Sequence, residues 1–174
     1  MRRLVGNLVG CLCLAMSLAG CCFAKEWRGI LPLHTTRSEV IKLIGDPKHT
    51  WESGAYFDLA DGRVTIEWID PSCEREYPIH MESKDARPDD LVLNIYVFPK
   101  KPISLNELDI PKAGYMTLGC HPNDWCTLWN PEAGFGFTAA KGGIDKLFYR
   151  PTADEFKAWL AGHKGCERSA KAAT

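Results

Sequence analysis

What this chain lacks narrows it first. Its longest apolar stretch, Leu4 to Leu18, is broken by Gly6, Asn7 and Gly10 and is too short for a membrane-spanning helix. No charge of either sign dominates. Of 21 Lys and Arg residues, Arg2 and Arg3 sit near the N-terminus, leaving 19 against 22 acids, so neither a nucleic-acid footprint nor the binding of a polyanion is expected. There is no G-x-S-x-G elbow, and Gly134-Phe-Gly-Phe and Lys141-Gly-Gly complete neither a dinucleotide fingerprint nor a P-loop. The five histidines, at 34, 49, 80, 121 and 163, are scattered, and no nucleophile–base–orienter set can be read from them. Lys100-Lys101 is too small a patch to imply a phosphate ligand. No cofactor is expected, and the sequence leans away from an enzyme.

What is present describes an exported domain. With 45% apolar, 10% aromatic and 25% charged residues, 174 residues can build the core of one soluble domain. Residues 1–24 have the charged, apolar and small-residue succession of a signal peptide. Two cleavage readings compete. Leu18-Ala19-Gly20-Cys21 has the form of a bacterial lipobox, which would lipidate Cys21, whereas Cys22-Phe23-Ala24 offers an ordinary site before Lys25. Cleavage after Ala24 leaves four of the eight cysteines, at 73, 120, 126 and 166, an even number suited to two disulfides in an oxidising compartment. The expected location is periplasmic or secreted, with any membrane attachment made through Cys21.

Residues 25–166 read as one α+β domain, residues 167–174 as a tail. Thr36 with Glu39 and Thr152 with Glu155 have capping-box spacing, predicting helices over 36–44 and 152–162. Gly45 and Pro47 stop the first. His49 to Asp58, with Trp51, Tyr56 and Phe57, is extended and aromatic, Asp61-Gly62 is a turn, and Arg63 to Ile69 alternates as its hairpin partner. Leu91 to Phe98 is apolar on both sides apart from Asn94, which predicts a central strand covered on both faces. Short runs at 115–120, 126–130, 135–140 and 144–149 suit an antiparallel meander. The expectation is a single antiparallel sheet of six to seven strands with two helices packed on it. A weak echo between Tyr56–Pro71 and Trp129–Pro151 raises the option of two degenerate repeats.

Candidate chemistry is thin. Cys120 and Cys126 flank a turn, so paired strands would bring them together. Cys73 and Cys166 would form the second bridge, although four cysteines allow three pairings. Cys120, His121 and Cys126 make one loose metal-like cluster without the second pair that zinc sites favour. Asp89-Asp90 is more simply a solvated loop, and Asp154-Glu155 a helix start favoured by its dipole. Trp51, Trp125 and Trp129 are either contact anchors or core, with core the simpler account. The polar 74–90 loop and the turns at 121–124 and 130–134 are the natural contact elements. These features favour a non-catalytic module that binds a protein or envelope component. A secreted hydrolase built around His121 and Asp124 is the alternative.

Thr36, Val40, Ile44, Gly45 and Pro47 resemble the opening of SmpA/OmlA-type domains, which are similar to beta-lactamase inhibitor protein in layering short helices on antiparallel strands. That resemblance implies scaffolding or inhibition by binding. Those domains begin with two helices, where Lys25 to Pro32 shows none. More broadly, Trp27-Arg28-Gly29-Ile30, Pro32-Leu33, Thr36-Arg37, Val40, Gly45, Pro47, Cys73, the strand at 91–98, Tyr149-x-Pro151 and Cys166 resemble a group of small exported bacterial proteins of unassigned function. This implies export and a shared fold, with no catalytic residue to carry over.

Overall fold

The computed structural model of the chain describes residues 24–70, 89–108, 113–121 and 125–163. Eight strands form one antiparallel sheet: β1 (His49–Trp51), β2 (Gly54–Leu59), β3 (Gly62–Ile69), β4 (Leu91–Pro99), β5 (Met116–His121), β6 (Trp125–Asn130), β7 (Phe135–Ala140) and β8 (Gly143–Tyr149). Two α-helices accompany it, α1 (Arg37–Ile44) and α2 (Ala153–Gly162). The antiparallel class is as expected, but the sheet has eight strands rather than six or seven. The extra ones come from the aromatic segment after α1, where Glu52-Ser53 turns the chain and splits it into β1 and β2.

The spatial order is β1-β2-β3-β4-β8-β7-β6-β5. Two four-stranded meanders therefore meet through their last strands, with Ile95, Tyr96 and Val97 opposite Tyr149, Phe148 and Leu147. After β4 the chain pairs Ile103 with Ile144, makes a short 3-10 turn at Leu105–Glu107, and re-enters the sheet at the far edge as β5.

Both helices begin at their capping boxes. Thr36 accepts from the Glu39 N–H while Glu39 accepts from the Thr36 N–H, and Thr152 and Glu155 repeat the arrangement. The Thr36 hydrogen bonds hold the Glu39 carboxyl below its ordinary pKa. Gly45, at φ 88°, ends α1 in a conformation that disfavours a side chain. Val40 of α1 is fully buried in the core with Ile30, Phe57, Ile66, Ile95 and Phe135. α2 buries no residue completely. It is tied to the N-terminal segment by Glu155, whose two carboxylate oxygens each lie 3.0 Å from the Ala24 nitrogen.

Alternation along each strand separates a core face from an outer face, and bulges reset its phase. Glu67 opposes Asn94 but Trp68 opposes Val92, so Leu93 is the extra residue, and Val92 and Ile95 reach the same side. On β8 the shift leaves Asp145 unmatched and keeps Ile144 and Leu147 together in the core. The expectation that β4 is covered on both faces by other elements needs correction. Its core face carries Val92, Ile95 and Val97, while Tyr96 and Phe98 on the other side are half-buried.

A candidate binding face on the sheet

The outer face is a grid of rings and cations drawn from strands distant in sequence. One row across the sheet runs Thr65, Tyr96, Phe148, Gly136, Trp129 and Met116. The next begins with Asp58, Arg63 and Phe98 and continues by the same antiparallel register through Lys146, Thr138 and Thr127. Gly136 makes the first row possible. A Cβ there would stand 2.2 Å from Phe148 Cζ, so the bare backbone lets the Phe148 ring lie across β7 and stack on Trp129, centroids 5.5 Å apart.

Cations fill the spaces between rings. Lys146 Nζ lies 4.7 Å from the Tyr96 centroid and 5.7 Å from that of Phe98, and Arg63 sits 4.9 Å from the Phe98 ring. The Arg150 guanidinium is 5.6 Å from Phe148 and 5.8 Å from Trp129. Each such contact is worth roughly 0.5–1 kcal/mol where water reaches it and more where it does not. Together they cover Phe148, which is only 3% exposed although it faces away from the core.

One polar chain crosses the grid. Arg150 Nη2 donates to the Tyr96 hydroxyl at 3.1 Å, and that hydroxyl donates to Glu67 Oε2 at 3.3 Å. Asn94 Nδ2 donates to the same carboxylate oxygen at 2.6 Å. Burial, and then the Glu67 charge, raise the Tyr96 phenol above its ordinary pKa. Burial and the Arg150 charge lower that of Lys146, with Glu67 and Asp145 opposing. The two cations, Lys146 and Arg150, thus share a half-dry layer with the carboxylates of Glu67 and Asp145.

The three tryptophans singled out from sequence all lie on this outer face and none belongs to the core cluster, which corrects the simpler core account. Trp129 is in the grid, and Trp51 lies over Gly54 at the β1 edge, where an added Cβ would meet its ring at 2.4 Å. Trp125 is 43% exposed at the other edge and stacks with His121, centroids 6.3 Å apart.

Cys120 and Cys126 stand directly opposite on β5 and β6, Cα atoms 4.1 Å apart and sulfurs at disulfide distance. Cys21, Cys73, Cys166 and Asp124 fall outside the described residues, as do most of the 74–90 loop and the tip of the 121–124 turn. Asp90 is fully buried, so the solvated-loop reading holds only for its exposed neighbour Asp89. The 130–134 turn exposes Glu132 to solvent and is anchored from below by Asn130. Asn130 is 3% exposed, its Oδ1 accepts from the Glu132 and Ala133 N–H groups, and its side-chain amide donates to Ala113.

Each described histidine lies beside an aromatic ring or a carboxylate, and only His163 is half-buried. His49 lies between Trp51 and Tyr56, and His163 stacks on Trp159 at 4.3 Å. His34 Nε2 is 4.0 Å from Glu155, a carboxylate already engaged in capping α2 and holding Ala24. Among the described residues no group of three His, Cys, Asp or Glu side chains could hold a metal, and no helix is long and apolar enough to cross a membrane. Tyr96, Phe98, Lys146, Phe148 and Arg150 were missed from sequence. Their signal was the period-two run Lys146, Phe148, Arg150 beside Tyr96, Phe98. Comparison with protein-family models, curated proteins and solved structures finds no match to this chain.

Proposed function

We propose that the protein is an exported, non-catalytic binding module of the cell envelope that makes contact through the outer face of its sheet. The observation that carries this reading is the half-exposed layer of rings and cations around Lys146 and Arg150, opposite a conventional apolar core. Such a layer offers many weak, convergent contacts and no activated nucleophile. A photo-cross-linking residue placed at Thr127 should give one discrete adduct in an envelope preparation, and the same residue at Lys157 on α2 should give none. Equal labelling from both positions, or turnover of a small substrate by the purified protein, would contradict the reading.

Export through the lipobox route fits this picture best. Ala24 is 4% exposed, its nitrogen is gripped by Glu155, and its side chain abuts Gly134. Cleavage after Ala24 would remove a residue built into the domain, whereas processing at Cys21 retains it and leaves a short tether to a lipid anchor. The mass of the mature protein tests this: a chain starting at a diacylglyceryl-modified Cys21 is expected, and one starting at Lys25 would refute it.

A further inference from the structure

The outer face ends at an open recess of about 510 Å³ lined by Asp58, Leu59, Gly62, Arg63, Phe98 and Lys100. Its size lies in the range of small-ligand sites. Arg63 and Phe98 belong to both the recess and the cross-strand row, so the recess opens directly onto Lys146. Neither Arg63 nor Lys100 makes an ion pair among the described residues, and Asp58 is the single acid in the lining. Beyond Lys146 the row continues into Thr138 and Thr127, whose hydroxyls lie 3.1 Å apart on the same face.

We propose that this recess and row bind an acidic polysaccharide, its sugar carboxylates meeting Arg63, Lys100 and Lys146 and its ring hydroxyls meeting Thr138 and Thr127. The inference rests on the binding-module reading and names the ligand of that face. Three considerations select this occupant. Arg63 and Lys146 are two strands apart, roughly 10 Å, a separation that two carboxylates of one polymer span and a single small anion does not. A strand-adding peptide needs main-chain donors and acceptors, and the middle of a sheet face presents only side chains. Nucleic acid would call for a dense basic stripe, whereas here Arg63, Lys100 and Lys146 are interspersed with Asp58 and two threonines. Across the whole chain the charge balance does not favour a polyanion, but Arg63, Lys100 and Lys146 gather at this corner, so the ligand is recognised locally and not by the field of the whole protein.

Calorimetric titration of the full mature protein with polygalacturonate, its neutral methyl ester and poly-glutamate tests the assignment. Polygalacturonate should bind at least about tenfold tighter than either control, since the ester lacks the charge and the polypeptide lacks the sugar hydroxyls. Arg63→Gln and Lys146→Gln should each weaken it about threefold, and Lys146→Arg should restore most of the loss. Circular dichroism and the melting temperature confirm that each variant is folded. Equal binding of the ester or of poly-glutamate overturns the proposal, as does indifference to both glutamine variants. Absence of binding without polymer shortening overturns the ligand assignment alone. Release of new reducing ends would instead overturn the non-catalytic reading beneath it.

Discussion

The two faces of the sheet use the same strands and hold together by different means. On one side Phe57, Val64, Ile66, Ile95 and Phe135 are at most 1% exposed, and stability comes from apolar area withdrawn from water. On the other side Tyr96, Phe98, Trp129 and Phe148 are held by cations lodged between the rings, and only Phe148 is buried. A face closed by side chains alone remains accessible from above. The core face has already spent its surface on folding, and the outer face has not.

The widest separation between the faces should appear on truncation. Phe57→Ala leaves a void in a closed core and should cost about 3–5 kcal/mol, whereas Phe98→Ala removes cation–ring contacts from a half-exposed site and should cost about 1 kcal/mol. Urea denaturation of the two variants measures the difference, and equal losses would erase the distinction. Alkaline pH sharpens it next. Burial pushes the Tyr149 phenol up to about 12 from an ordinary 10.0. The folded state therefore keeps its proton while the unfolded chain loses it. Stability from this group is complete below pH 10 and is lost as pH rises through 12, about 3 kcal/mol in all. Tyr149→Phe should flatten that part of the stability–pH curve.

Smaller effects lie at the edges. Replacing Cys120 and Cys126 by serine should cost about 2 kcal/mol, since the bridge closes a short loop. That loss should loosen β5 and β6 in hydrogen exchange while leaving β3 and β4 protected. Thr36→Ala removes the side chain that starts α1 and should cost about 1 kcal/mol, read as a lower urea midpoint with an unchanged slope.

Local signals were legible in the sequence. Both helices start where Thr and Glu are three apart, and the four strands of the second meander lie within a residue or two of their expected positions. Long-range arrangement was not. Nothing in residues 100–115 announces that the chain crosses to the opposite edge before returning to β4, because that choice is made by packing between distant strands. The bulges at Leu93 and Asp145 each insert one residue, so simple alternation assigns the wrong face on one side of the slip. This is why Leu91 to Phe98 read as apolar on both sides. The candidate face escaped for the same reason: Arg63, Phe98, Lys146 and Thr127 come from four strands and become neighbours only in the folded sheet.

The sheet's outer face as the contact surface is tested most directly by following the six tryptophan indole signals in a ¹H–¹⁵N spectrum during titration with polygalacturonate. Trp129 should shift progressively and saturate, while Trp68, 2% exposed on the core face, should stay in place. A titration that moves Trp68 as far as Trp129, or moves neither, would contradict the account.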